Sequence, residues 1–274
     1  MREQLTRALV ALTRRVTTAC TIGMVVASCG STHAPAPATP RPVAHAPFVG
    51  EDLGDYYPNL ARYTTQYLEG DNYRPDGPRL SVLWFERQDR QAFRVYNSAP
   101  TSAQARCGYD ELSWSRDGYL RYVRTVAACG QQRTEIAYEQ PIVFLPQRWD
   151  GRPWRLDGRS AARYYIDGQL HCEGTNAWTA EVLGVEETSP GNADLHWRTT
   201  QTTTWTTGDV RGGCYAGSVT RWREDYWLTG RLPDPAGVRQ GKGLQHTVGG
   251  NLDKPDQAWD IRMARWVPLP RPMA

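Results

Sequence analysis

The sequence predicts an all-β fold: one large curved antiparallel sheet, half-barrel or barrel-like, with few or no helices. Three observations lead there. Asp-Gly recurs as punctuation, at Asp76-Gly77, Asp117-Gly118, Asp150-Gly151, Asp157-Gly158 and Asp167-Gly168, and this dipeptide supplies the positive φ angles that tight hairpin turns need. Between these points lie runs rich in Trp, Tyr, Val and Thr, the residues that suit a pleated, half-buried surface. A sustained 3.6-residue apolar period is lacking.

In chain order, strands are expected near 80–87, 92–97, 109–115, 119–126, 133–139, 161–170, 177–187, 194–206, 217–229 and 258–267. The segment 56–69, YYPNLARYTTQYLE, reads as either a short helix or a first strand. Alternation supports several of these assignments. Leu112 and Trp114 share a face, as do Leu120, Tyr122 and Val126, interrupted by Arg124. Leu195, Trp197 and Trp205 point one way, and His196, Arg198, Thr200, Thr202 and Thr204 the other. Trp222, Glu224, Tyr226 and Leu228 share a face. Half-buried antiparallel strands produce this pattern. The strands between 177 and 229 are long, and long aromatic strands twist into a curved sheet or barrel. The Gly-rich stretch 241–250, GKGLQHTVGG, reads as a loop; it contains Gly-Lys but not the phosphate-loop spacing.

Hairpin register gives a reading of the cysteines. A three-residue loop at Asp117-Gly118-Tyr119 pairs residues whose numbers sum to 236. Trp114 then faces Tyr122, and Cys107 faces Cys129, close enough for a disulfide. Cys172 and Cys214 centre on residue 193, beside the turn Ser189-Pro190-Gly191-Asn192. Cys107, Cys129, Cys172 and Cys214 allow three pairings, of which register favours Cys107–Cys129 and Cys172–Cys214. No C-x-x-C spacing occurs among the six cysteines, which leaves little support for zinc.

The formal charge of +3 is concentrated at the start of the chain. Four of the 32 basic residues (Arg2, Arg7, Arg14, Arg15) and one of the 29 acidic residues (Glu3) precede Cys29, so the remainder is balanced at 28 against 28. A basic footprint for nucleic acid is therefore absent. Lys242 and Lys254 are the only lysines, an arginine bias typical of GC-rich genomes.

Residues 1–15 are predominantly basic, and 16–28, VTTACTIGMVVAS, form an apolar run too short to span a bilayer. Val26-Ala27-Ser28-Cys29 follows. This resembles the lipobox of bacterial lipoproteins, with Val26 in place of the commoner leucine. The resemblance implies cleavage before Cys29 and lipid on its thiol. It divides the chain into a signal peptide (1–28, which includes Cys20), a lipidated Pro/Ala-rich tether (29–47) and a single β-rich extracytoplasmic domain (48–274), lipid-anchored to the cell membrane. The tether, with His33 and His45, holds five prolines in residues 30–47, a composition that stays extended. Arg14-Arg15 lacks the aromatic and leucine of a twin-arginine export signal. An ordinary secretory signal, releasing a soluble protein, is the alternative. The body resembles the uncharacterised lipoproteins of actinobacteria. In shape alone it is similar to lipid-carrying periplasmic lipoproteins, with no motif of theirs matched.

Catalytic patterns are sparse. Gly217-Ser218-Val219 is no nucleophile elbow. His171 adjoins Cys172, but a disulfide is the better use of that cysteine. His196 sits among threonines on an alternating strand, and His246 lies in the Gly-rich stretch. Glu186-Glu187 and Glu224-Asp225 are adjacent pairs, so each points to opposite faces of its strand and makes no two-carboxylate site alone. A site formed between distant strands is beyond what spacing reveals. The expectation is a binding or structural protein rather than an enzyme, without metal or cofactor, holding a hydrophobic small molecule. A cell-wall glycan-binding module or glycan-active enzyme is the alternative.

Overall fold

In the computed structural model the described residues are 48–57, 65–74, 77–96, 108–128, 132–189, 191–209, 213–233 and 240–268. Twelve strands form a closed barrel: β1 (Thr65–Arg74), β2 (Gly77–Arg87), β3 (Ala92–Tyr96), β4 (Gly108–Trp114), β5 (Tyr119–Ala127), β6 (Thr134–Pro146), β7 (Trp154–Ile166), β8 (Gln169–Ser189), β9 (Asn192–Trp205), β10 (Val219–Pro233), β11 (Gln240–Asn251) and β12 (Trp259–Pro268). Each strand is antiparallel to the next, and β12 pairs back onto β1. Closure gives every strand a neighbour on both sides, although the β6–β7 ladder covers only Thr134–Tyr138 against Ala162–Ile166 and the β11–β12 ladder only His246–Gly249 against Trp259–Arg262. The helical residues among those described are two three-residue 3-10 turns, Leu53–Asp55 and Pro255–Gln257. The predicted all-β curved sheet is thus present in its closed form.

Alternation sorts the barrel into two surfaces. Leu195, Trp197, Thr199, Thr203 and Trp205 of β9 turn inward and are buried. Outward positions carry charge even in mid-strand: Arg155 pairs with Asp157, Arg163 with Glu173, and Arg124 with Glu111 and Glu135. That is the reverse of the apolar outer band of a membrane-spanning barrel.

Residues 48–57 enter one end of the barrel as a plug. Leu53 is wholly buried, worth about 1.5–3 kcal/mol in removed apolar surface. The Tyr57 ring meets Phe85 of β2 at 5.4 Å, Phe144 of β6 at 5.8 Å and Trp197 of β9 at 5.9 Å, so it touches three walls at once. The backbone of the plug is fixed by Gly50 N–H to the Trp149 carbonyl and Leu53 N–H to the Gln147 carbonyl, both 2.8 Å. Lys242 of β11 clamps it from the opposite wall, 2.6 Å from Glu51 and 4.6 Å above the Tyr56 ring. At the other end, Ala162, Cys172, Trp205 and Cys214 form a second buried cluster.

Several expectations are corrected. The ambiguous segment 56–69 resolves into the end of the plug and the start of β1, with 58–64 outside the described residues. The expected strand 161–170 straddles a turn: Asp167 and Gly168 have φ of 50° and 79° and link β7 to β8. Asp157-Gly158 is not a turn but the interior of β7. Its glycine faces Trp178 on β8, and a Cβ there would overlap the indole ring. The loop expected at 241–250 is strand β11, whose Gly249 lies under the Trp259 ring. In both places a large aromatic on the neighbouring strand fills the space that a side chain would take, so glycine in these strands is a packing partner.

The β4–β5 register also differs. Ser115 N–H bonds the Tyr119 carbonyl, so the loop is Arg116-Asp117-Gly118, one residue earlier than expected. Gly118, with φ of 82°, takes its left-handed third position. Leu112 therefore faces Tyr122, and Trp114 faces Leu120 rather than Tyr122. Val123 then bulges, and the ladder runs on to Gly108 opposite Ala127.

Candidate functional site

Between the plugged end and the floor, the inner wall carries a belt of polar and aromatic side chains. Asp110 on β4 accepts from the Tyr122 hydroxyl at 2.5 Å and from Thr125 at 2.8 Å, both on β5. Glu224 on β10 accepts from Tyr226 at 2.5 Å and from Thr199 at 3.3 Å. Tyr138 of β6 donates to Gln201 of β9 at 3.1 Å. Gln201 also accepts from Asn176 of β8 at 3.3 Å, and Asn176 in turn accepts from Thr203 at 3.1 Å. Trp178, Trp222 and Trp259 stand in the same belt. Trp222 lies opposite Gln201 across β9–β10, its ring 6.1 Å from Trp259. β4 and β10 are six strands apart in a ring of twelve, so the two carboxylates come from opposite walls.

Asp110, Tyr122, Tyr138, Trp178, Gln201, Trp222, Glu224 and Trp259 are each only half-buried, although each points into a closed barrel. Inward-facing side chains that keep accessible surface mark a stretch of the barrel that side-chain packing does not fill. Above them the wall is dry: Trp197 stacks flat on Tyr226 at 4.4 Å, and both touch Phe144.

Enclosure governs the electrostatics. Desolvation raises the Glu224 carboxyl to about 7, against the hydrogen bonds of Tyr226 and Thr199, and Asp110 raises it further. Desolvation raises Asp110 as well, opposed by Tyr122 and Thr125. Burial, then the fields of Asp110 and Glu224, raise the hydroxyls of Tyr57 and Tyr138. Tyr57 and Tyr138 therefore lie within the influence of both carboxylates.

A second polar array lies on the outer face. His196 is bonded at both nitrogens, to Glu186 at 2.7 Å and Asp225 at 2.8 Å. Two carboxylate partners require both ring N–H groups, hence the imidazolium. Burial opposes that charge, but Asp225 and Glu186 prevail and raise the pKa of His196. Asp225 is held down to about 2: burial opposes, and His196, Arg223 and Arg198 outweigh it. Trp227 is sandwiched between His196 at 4.3 Å and His246 at 4.6 Å, and His246 bonds Asp260 at 2.7 Å. Trp227, the tryptophan that this outer array presents, thus has both ring faces covered and offers no open platform to a sugar.

The residues singled out in the sequence fall as follows. Cys172 and Cys214 are disulfide-bonded, Cα–Cα 6.4 Å. The bridge ties the β9–β10 connection to β8 rather than closing a ladder position. Cys29, Cys107 and Cys129 lie outside the described residues. His171 bonds Asp209 at 2.7 Å and has no thiolate neighbour, since Cys172 is bridged. Glu224 and Asp225 point to opposite faces as expected, one to the lumen and one to His196. The partner of Glu224 in the lumen, Asp110, was not singled out, because only closure of the barrel brings β4 opposite β10. The described residues include no group of three or more side chains placed to hold a metal ion. Comparison of the chain with protein-family models, curated proteins and solved structures finds no match.

Proposed function

We propose that this chain is a membrane-anchored extracytoplasmic binding protein that holds a small ligand inside its barrel. The observation that carries the reading is the half-buried belt of Trp178, Trp222, Trp259, Tyr122, Tyr138, Asp110 and Glu224 inside a closed sheet. Aromatic walls with a few convergent polar groups are the usual make-up of ligand sites, which also occur in the interiors of small barrels. The polar belt shifts the expected ligand from wholly apolar to amphiphilic. The anchor rests on Val26-Ala27-Ser28-Cys29 and the proline-rich stretch after it. The Cys172–Cys214 bridge supports an oxidising compartment, and the charged outer wall suits a barrel that stands in water.

The test is a titration of the detergent-solubilised protein with an environment-sensitive amphiphilic fluorophore. Saturable binding with a matched change in Trp emission is expected, and replacing Trp178 or Trp222 by Leu should weaken it. Binding that never saturates, or that ignores both replacements, would point to a scaffold or partner-binding role instead.

A further inference from the structure

We propose that the lumen recognises a small organic cation, an amine or quaternary ammonium compound, held between Asp110 and Glu224 against the faces of Trp178, Trp222 and Trp259. This rests on the reading of the lumen as a binding site and gives that site its ligand chemistry.

Four features of the inner wall agree on it. First, two carboxylates on inward-facing positions come from opposite walls of the barrel, and the field of Asp110 raises the proton affinity of Glu224. Second, no inner-wall position whose side chain is described carries a base; Arg79, at an inner position of β2 by register, is outside those side chains. Arg124, Arg155, Arg163, Arg198 and Arg223 sit on the outer face with carboxylate partners. Lys242 stands at the plugged mouth and is bonded to Glu51. Third, Tyr57 is 5% exposed, and its hydroxyl lies in the field of both carboxylates without a hydrogen-bond partner among the described residues. A ligand that brings a polar group or water to this point would satisfy that hydroxyl. Fourth, the three tryptophans take inward-facing positions and are only half-buried, and an indole face attracts a cation through its quadrupole, best where water is excluded.

Other ligand classes fit less well. An anion would meet two acids. A wholly apolar guest would strand both carboxyls and the Tyr57 hydroxyl away from water. A sugar could stack on the indoles but would leave the like-charged carboxyls uncompensated. A cation relieves that repulsion, so its binding should release protons and strengthen as the carboxyls ionise. The groups facing Glu224 are Tyr226 on its own strand, Thr199 on β9, Asp110 on β4, Tyr138 on β6 and Tyr57 of the plug; those facing Asp110 are Tyr122 and Thr125 on β5. None of these described neighbours is basic.

The experiment is calorimetric titration of the full-length protein in detergent with tetramethylammonium, choline and spermidine, alongside 3,3-dimethylbutan-1-ol, the uncharged carbon isostere of choline. At about pH 8 at least one cation should bind saturably, choline exceeding its isostere by about tenfold or more if choline is that cation. Its affinity should fall at about pH 5, where Glu224 holds its proton and the raised Asp110 carboxyl is less ionised than at pH 8. The double variant Asp110→Asn, Glu224→Gln should lose the cation preference and the pH response. Circular dichroism checks that this variant folds, and the pH response of the unaltered protein is a test that needs no variant. Absence of saturable cation binding at pH 8, or equal affinity for choline and its isostere, overturns the proposal. If the isostere or the amphiphilic fluorophore still binds saturably in that case, the lumen remains a binding site and only the cationic chemistry fails. If nothing binds, both readings fail.

Discussion

Replacing Glu224 by Gln should make the protein more stable, by an amount that grows as pH rises from about 4.5 and is complete above about 7. The carboxyl is desolvated, and its pKa in the fold is about 7 against an ordinary 4.5. Between those two values the unfolded chain has lost the proton that the folded chain keeps. Stability therefore falls as pH rises from 4.5 through about 7, and the cost is complete above that. A shift of this size corresponds to roughly 2–3 kcal/mol once the surface that Glu224 keeps toward the lumen is allowed for. Glutamine keeps an oxygen to accept from Tyr226 and Thr199 but carries no charge. Urea unfolding of both proteins at pH 8 should place Glu224→Gln above the parent by about that amount, or by roughly 4–10 °C in thermal midpoint for a domain of this size. At pH 4.5 the two should nearly coincide. A variant that is equally stable or weaker at pH 8, or whose gain does not depend on pH, would refute an enclosed, proton-holding carboxyl.

Four further outcomes are expected. His196, bonded to two carboxylates, should titrate above 6.5 by NMR; its contribution to stability is full below pH 6.5 and is lost as pH rises through the raised value, so a titration at or below 6.5 contradicts the outer array. Gly158→Val should destabilise by about 1–3 kcal/mol in urea because it collides with Trp178, whereas an Asp157-Gly158 turn would tolerate it better. Replacing Cys172 and Cys214 by Ser should cost about 2–4 kcal/mol, and non-reducing peptide mapping should link Cys107 to Cys129; a Cys107–Cys172 peptide would contradict the pairing. Cys29→Ser should move the expressed protein from the detergent phase to the aqueous phase, and an unaltered protein that is already aqueous would remove the anchor.

Much of the wall was legible because its signal is local. Period-two alternation in 194–205 and 222–228 places Trp197, Thr199, Glu224 and Tyr226 on the inner face, where the structure has them. Strand β11 was not legible for a physical reason that also explains Asp157-Gly158. Glycine weakens a strand by itself, so Gly158 and Gly249 read as breakers. Their real partners are Trp178 and Trp259, each on a neighbouring strand and outside any local window. The one-residue error at 116–118 came from which loop position takes the left-handed conformation, and Asp-Gly alone does not decide that. The site was less legible still. Asp110 and Glu224 are 114 positions apart, and only the full circuit of strands sets them face to face. Tyr57 comes under the field of both on a plug whose docking depends on tertiary contacts with Phe85, Phe144 and Trp197.

The central claim is that the aromatic and acidic belt encloses a space that a small molecule occupies. Native mass spectrometry of the protein, released gently from its host membrane, tests it most directly. The account predicts a native mass above that of the lipidated polypeptide by one small molecule, lost on unfolding and reduced in the Asp110→Asn, Glu224→Gln variant. Identical native and denatured masses, together with no uptake of tetramethylammonium, choline, spermidine or the amphiphilic fluorophore, would contradict it.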